Sequence, residues 1–332
     1  MQIFHNANYN FIRWRWHALA LSALLVLAGI AATIAKGLPL GIDFSGGTQL
    51  IVKFDQPVPL DKVREAVPGD EVVQQYDDPS LNEVLIRLQQ AGTSEQGKAL
   101  EQTSLQVNQA LQKAGLPKFT IVKTDIVGPT VGAELQKRGI YATLASIIAI
   151  TIYIGVRFRF SFAVGAIAAT FHDILVTLAF LVFFRYELSL NIVAAILTIT
   201  GYSVNDTIVI FDRVRENLRG MRRDSIDQVV NLSVNQTLGR TIITAGTAFL
   251  SVLALYLFGG EALRGFAFTM IVGIISGTYS TIFIASSIAI ILSRRKSGKV
   301  AAAAAPGSVA VSASAPSPAR GKSKQKKTRA AS

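Results

Sequence analysis

Asp206 is the residue of this chain best suited to chemistry, because it is a carboxylate inside the apolar run 188–211. That run is long enough to cross a bilayer as a helix. A carboxylate at that depth costs about 3 kcal/mol to insert, so it is seldom kept without a task. Three more polar residues lie on the same broad face at helical spacing: Thr198, Tyr202 and Ser203. This face must point into protein rather than lipid, and the alternative to a functional group is a structural carboxylate bonded to a neighbouring helix.

A second carboxylate, Asp173, follows His172 near the middle of the third apolar run, by the rise of a helix. Thr177 lies one turn further along the same face. The fifth run opens with Arg240, and hydroxyls follow it at i+4, i+7 and i+11: Thr244, Thr247 and Ser251. Two acids, one arginine and several hydroxyls are thus predicted to converge between spans three, four and five.

This set of groups, with the polar side chains of Asn205 and Thr207, suits a proton relay. Carboxylates titrate, hydroxyls and water carry protons, and an arginine biases which carboxylate stays ionised. Motion of span five relative to span four would change the proton affinity of the acid. The alternatives are that Arg240 only snorkels at a helix end and that Asp173 only bonds a packed helix.

The composition argues against most metal and nucleotide chemistry. The chain has no cysteine and three scattered histidines, so a disulfide framework and a zinc or haem site are not expected. The P-loop pattern G-x-x-x-x-G-K-[ST] does not occur, which argues against a nucleotide-hydrolysing site. We therefore expect neither an enzyme nor a bound cofactor, with protons as the coupling ion.

Six membrane spans are predicted, because half of the 332 residues are hydrophobic and the mean hydropathy is +0.41. The apolar runs are 17–35, 139–156, 162–184, 188–211, 241–258 and 266–292. They divide the chain into a cytoplasmic N-terminus (1–16), a first transmembrane helix (17–36), a periplasmic domain (37–135), five further helices (136–293) with a cytoplasmic loop (212–239), and a tail (294–332). The apolar residues of the loop predict a helix on the membrane surface, and the Ala/Ser/Pro-rich, basic tail is predicted to be disordered.

Basic residues predict the orientation of these spans. With a cytoplasmic N-terminus, the inner segments carry 20 of the 33 lysines and arginines, whereas the short outer loops carry only Arg185 and Arg264. The region 36–138 holds 11 basic and 13 acidic residues, so the net charge of +12 is a cytoplasmic bias. Membrane topology accounts for that charge, and nucleic acid is not an expected partner.

The insert between the first two spans predicts a ferredoxin-like α+β domain. Strands are expected at 48–54, 71–76, 83–88 and 119–127, and helices at 60–67 and 94–114. The order β-α-β-β-α-β is that of the ferredoxin-like unit. In the preceding segment GIDFSGGT (41–48), Gly46 and Gly47 favour a tight turn with positive φ after Asp43. Glycines at 37–41 and 128–132 suggest hinges on which the insert moves as a rigid body.

A series of motifs along residues 10–293 resembles the SecF family, membrane subunits of the bacterial SecDF protein-export complex within the resistance–nodulation–division superfamily. The motifs are GIDFSGGT (41–48), VGPTVG (127–132), HD (172–173), GYSVND (201–206, which includes Gly201 and Tyr202), FDRVREN (211–217), NQTLGRT (235–241) and GTYS (277–280). The resemblance implies proton conduction by Asp206 and Arg240. The tail after Arg295 departs from the family pattern.

The resemblance further implies half of a twelve-span transporter in the bacterial inner membrane. Its expected partners are a SecD-like subunit, a SecY-type channel complex, an exported unfolded polypeptide and membrane lipids. The expected function is to use the proton gradient in late steps of protein export. The alternatives are a proton-coupled exporter of small or lipidic substrates on the same architecture, which the single half and small insert disfavour, and a purely structural scaffold.

Overall fold

The computed structural model describes residues 8–67, 72–76, 79–88 and 96–294, and within them it confirms the predicted spans. Six helices are long and apolar enough to cross a membrane. They are α1 (Arg15–Lys36, after a 3₁₀ turn at Phe11–Trp14), α5 (Pro129–Arg157), α6 (Phe160–Phe183), α7 (Leu190–Gly220), α8 (Ile226–Phe258) and α9 (Glu261–Ser280). A π-helical turn, Thr281–Ala285, follows α9, and the helix continues to Arg294. The tail beyond Arg294 lies outside the described residues.

Three of the six spans form the interior of the membrane domain. About half or more of the apolar stretch of α6, α7 and α9 is buried, whereas α1, α5 and α8 are mostly exposed in this single chain. Small residues allow the central helices to approach closely. A Cβ atom built on Gly273 of α9 would lie 2.2 Å from Ile199 Cδ1 of α7, so only glycine fits there.

The prediction of a helix that lies on the cytoplasmic membrane surface is wrong. Most of its apolar residues instead belong to an extension of α7 to Gly220 or to α8, which begins at Ile226 behind a capping box of Ser225 and Gln228. Three of them, Val214, Val229 and Val230, are fully buried in the largest core cluster of the described residues. The N-terminal segment covers this region: the Asn235 side chain bonds the backbone of Tyr9 in both directions at 2.8 Å.

The insert has the predicted ferredoxin-like topology. Its strands are β1 (Gly47–Phe54), β2 (Val72–Tyr76), β3 (Glu83–Leu88) and β4 (Phe119–Val127), in the antiparallel order β2-β3-β1-β4. Helices α3 (Leu60–Ala66) and α4 (Gln96–Lys113) pack on one face, where Val63, Val107 and Leu111 meet Leu50, Val52 and Phe54. The predicted start of α4 at 94 and part of the predicted turn at 77–80 lie outside the described residues.

The segment before β1 forms the predicted turn and, in addition, a one-turn helix, α2 (Ile42–Ser45). Gly46 and Gly47 have φ of 72° and 125°, a region that favours glycine. Gly132 is not part of a flexible connection as expected: it lies in α5, and a Cβ atom there would be 3.0 Å from the Gly46 nitrogen. A Cβ atom on Gly37 or Gly128 would meet no atom within 4 Å, and motion of the insert stays a prediction.

Candidate functional site

The carboxylate of Asp173 lies on α6 inside a ring of serine hydroxyls. It is 1% exposed and accepts hydrogen bonds from Ser203 of α7 at 2.5 Å and from Ser276 and Ser280 of α9, both at 2.7 Å. His172 Nδ1 lies 3.1 Å from the same carboxylate. The hydroxyls of Ser203, Ser276 and Ser280 thus join the three buried spans through one carboxylate.

The carboxylate of Asp206 is buried differently. It lies on α7, one turn after Ser203, and is 3% exposed. Its Oδ2 atom has no hydrogen-bond partner among the described residues, and the same holds for the hydroxyl of Tyr202, one turn earlier. Asp206 Oδ2 therefore lacks the hydrogen-bond donors that surround the carboxylate of Asp173.

Arg240 of α8 is the cation that acts on Asp206. Its charge lies within electrostatic range of the carboxylate. The Arg240 side chain is exposed in this single chain, and Thr244, one turn further along α8, is half-buried. The hydroxyls of Thr247 and Ser251 do not reach the acids: Thr247 donates to the backbone oxygens of Ile243 and Thr244, and Ser251 donates to that of Thr247.

The sequence-predicted site is therefore divided into two neighbouring clusters. Asp206 is near Tyr202 on its own helix and within electrostatic range of Arg240 of α8, whereas the hydrogen-bond donors to Asp173 lie on α7 and α9. Asn205 is exposed next to Asp206, and Thr198 is exposed two turns earlier, so neither side chain lies in the interior of the membrane domain. The predicted convergence of both acids with the fifth span does not occur in this conformation.

Sequence reasoning missed Ser276 and Ser280 as partners of Asp173. Their i, i+4 spacing places both hydroxyls on one helix face, which was the available signal. Sequence reasoning also missed the π-helical turn, where Thr281 Oγ1 lies 2.9 Å from Thr207 Oγ1 of α7. Such turns insert one residue into a helix and occur often at functional sites.

Asp43, in the segment before β1, lies at the N-terminal end of α7. Asp43 Oδ2 accepts a hydrogen bond from the backbone N–H of Leu190, the first residue of α7, at 2.9 Å. A carboxylate at this position accepts a hydrogen bond from a backbone N–H group that has no partner within the helix, and its charge interacts favourably with the positive end of the helix dipole. Gly201, in the middle of α7, has open space around its Cα atom. The segment GIDFSGGT (41–48) thus connects the insert to the helix that carries Asp206.

Family models match most of this architecture. Residues 106–295 match the family described as "Protein export membrane protein SecD/SecF, C-terminal", and residues 31–58 match the "SecD/SecF GG Motif". Among similar curated proteins, the protein translocase subunit SecF of Rhodothermus marinus is 40% identical over 90% of this chain and 98% of its own length. The SecF subunit of Escherichia coli O157:H7 is 37% identical over 87% of this chain and 89% of its own.

Solved structures give the same result for the fold. The crystal structure of SecDF, a translocon-associated membrane protein from Thermus thermophilus, superposes with a TM-score of 0.79 at 32% identity over 89% of this chain. A SecDF crystal structure in a super-membrane-facing form gives a TM-score of 0.68. This chain spans about 40% of the SecDF chains that it matches.

Proposed function

The chain belongs to the SecF family of protein translocase subunits, and from that premise we propose that it pairs with a SecD-type subunit and uses the proton motive force to promote protein export. It is a multi-pass protein of the inner membrane. The proposed orientation places the insert in the periplasm and both termini in the cytoplasm, as the distribution of basic residues favours. The proposed role needs no cofactor and no catalysed reaction.

The observation that carries this proposal is the environment of Asp206. Its carboxylate is buried at membrane depth, one oxygen has no partner in the described residues, and the charge of Arg240 acts on it from the next helix. A proton bound by Asp206 removes that attraction, and its release restores it. Proton transfer and the separation of α7 from α8 are thereby linked, so each step of one biases the other.

One proton driven by the gradient biases the equilibrium between two arrangements of α7 and α8 but does not fully invert it. One charge that crosses about 150 mV yields about 3.5 kcal/mol, which biases a two-state equilibrium a few hundredfold. Full inversion from 1:99 to 99:1 requires about 5.5 kcal/mol. A full inversion would therefore need at least two protons per cycle or an added contribution from the partner subunit.

The exposed spans support a partner in the membrane. Large apolar residues of α5 and α8 are open in the single chain, among them Ile148, Ile152, Leu250 and Leu257. Lipid covers part of such a surface, and a SecD-like half with six spans of its own would cover the rest and close the side on which Arg240 is exposed. In the proposed assembly, a SecY-type channel releases the exported, unfolded polypeptide on the side of the insert.

Export into membrane vesicles that contain a SecY-type channel and the SecD partner tests this function. A pH gradient should stimulate export with the wild-type chain, Asp206→Asn should abolish the stimulation, and Arg240→Lys should reduce it, because lysine keeps the charge but loses the guanidinium geometry. Dissipation of the gradient with an ionophore is the control. Equal export with and without the gradient in the wild type would refute the proposal.

A further inference from the structure

The connection between α6 and α7, residues 184–189, is held by the insert. The side chain of Glu187 accepts a hydrogen bond and forms an ion pair with Arg87 of β3. Arg87 is 5% exposed and also donates to Gln49 of β1 at 3.2 Å. An arginine this deeply buried requires its carboxylate, because loss of one partner leaves an uncompensated charge. The pair is thus a specific attachment between the sheet and the membrane domain.

The segment that leads from α1 into the insert holds the same connection. The backbone of Leu188 donates to Pro39 at 2.7 Å and accepts from Gly41 at 2.8 Å. A Cβ atom on Gly41 would lie 3.1 Å from the Leu188 oxygen, so this approach favours glycine. Two residues later Asp43 caps α7 at Leu190. The insert therefore contacts the start of α7 through both side chains and backbone.

The membrane domain fixes the connection from its other side. The ring of Tyr186 stacks on Phe268 of α9 with centroids 4.4 Å apart, and its hydroxyl lies 3.3 Å from that of Tyr256 of α8. Burial, reinforced by the hydrogen bond to Tyr256, raises the pKa of Tyr186 above its ordinary value, so the phenol keeps its proton. The connection is thereby a packed joint rather than a loose loop.

We propose that the Arg87–Glu187 contact is the joint through which displacement of α7 moves the insert. Glu187 precedes the first residue of α7 by three positions, and the same helix carries Asp206. Because a helix is stiff along its axis, a shift or tilt of α7 that follows proton exchange at Asp206 reaches its periplasmic end. There the ion pair and the Asp43 cap transfer the shift to the sheet. This inference rests on the proposed function and assigns Arg87 and Glu187 as positioning residues.

Glu187→Gln in the reconstituted complex with the SecD partner tests the joint by uncoupling. Proton flux should stay unchanged, because Asp206 is intact, while gradient-stimulated export should fall by at least about fivefold, the lower range of allosteric coupling. The charge exchange Arg87→Glu with Glu187→Arg should restore part of the stimulation. The matched control is Glu83→Gln on β3, the strand that carries Arg87. The ion pair of Glu83 with Lys53 lies within the insert, so this variant should behave as the wild type.

Three outcomes would refute the proposed joint: full export stimulation with Glu187→Gln, loss of proton flux together with stimulation, or no recovery of stimulation on charge exchange.

A second measurement does not depend on the stability of the single variant. A short bis-maleimide between cysteines at Arg87→Cys and Glu187→Cys should preserve stimulation, because a joint that moves with α7 need not open. Loss of stimulation on cross-linking would overturn the joint. Absence of proton flux in the wild type would instead refute the proposed function itself.

Discussion

Removal of the Asp173 carboxylate should destabilise the membrane domain more than any change at Asp206. In Asp173→Ala, three serine hydroxyls that now bond the carboxylate at 2.5–2.7 Å lose their acceptor inside the three buried spans. Hydrogen bonds between membrane helices contribute about 0.6 kcal/mol on average and up to about 1.7. Three such bonds predict a loss of about 2–5 kcal/mol in the free energy of unfolding.

Two further variants separate the roles of the two acids. Asp173→Asn keeps one carbonyl oxygen, and its amide group can donate to a serine oxygen, so its cost should be about half that of the alanine variant. Asp206→Asn loses no hydrogen bond at Oδ2, which has no partner among the described residues, and should change the stability by less than about 1 kcal/mol.

The assay is unfolding of the purified chain in mixed detergent micelles, titrated with sodium dodecyl sulfate and followed by helix content. The predicted order of destabilisation is Asp173→Ala, then Asp173→Asn, then Asp206→Asn. If Asp173→Ala unfolds at the same detergent fraction as the wild type, the serine ring does not hold the three spans together. If Asp206→Asn costs as much as Asp173→Ala, the distinction between an anchored and an unpaired acid is refuted.

Two other predictions concern packing and orientation. Gly165→Ala places a Cβ atom 2.5 Å from the Ala285 carbonyl oxygen of the π-helical turn and should cost about 1–3 kcal/mol in the same assay. Gly155→Ala, in open space, should cost nothing, and equal effects would refute the close approach of α6 to the π-helical turn. Single cysteines, easily placed in a chain that has none, test the topology: an impermeant maleimide should label Gln96→Cys but not Ser308→Cys in intact spheroplasts, and the opposite pattern would refute the orientation.

The spans and the insert could be predicted because each depends on local pattern. An apolar run of about 20 residues has few alternatives to a membrane helix, and the alternation of 48–54 needs only one buried sheet face. The ends of α7 and α8 could not be read this way. Polar residues after Phe211 suggested a surface segment, whereas burial of Val214 and Val229 under the N-terminal segment is a tertiary effect.

The two buried acids could be singled out from the sequence, but the residues that contact them could not. The free-energy cost of placing a carboxylate in the bilayer is enough to single out Asp206 and Asp173 as acids with a structural or functional role. Which helix supplies the donors depends on packing between spans distant in sequence, and the serines of α9 have the same spacing as an ordinary small-residue contact. The Arg87–Glu187 pair could not be predicted from the sequence either. Neither residue lies in a motif, and their proximity follows from the way the insert packs on the membrane domain.

Proton flux through the reconstituted complex with its SecD partner is the most direct test of the central claim, that Asp206 is the titrating carrier. The measurement follows acidification of vesicles that contain a pH-sensitive dye after a membrane potential is imposed. Asp206→Asn should abolish the flux and leave assembly with the partner intact. The control Asp212→Asn, on the same helix but in an ion pair with Arg157, should conduct as the wild type does. Normal flux through Asp206→Asn complexes would contradict the account and would assign the carrier to Asp173 or to the partner subunit.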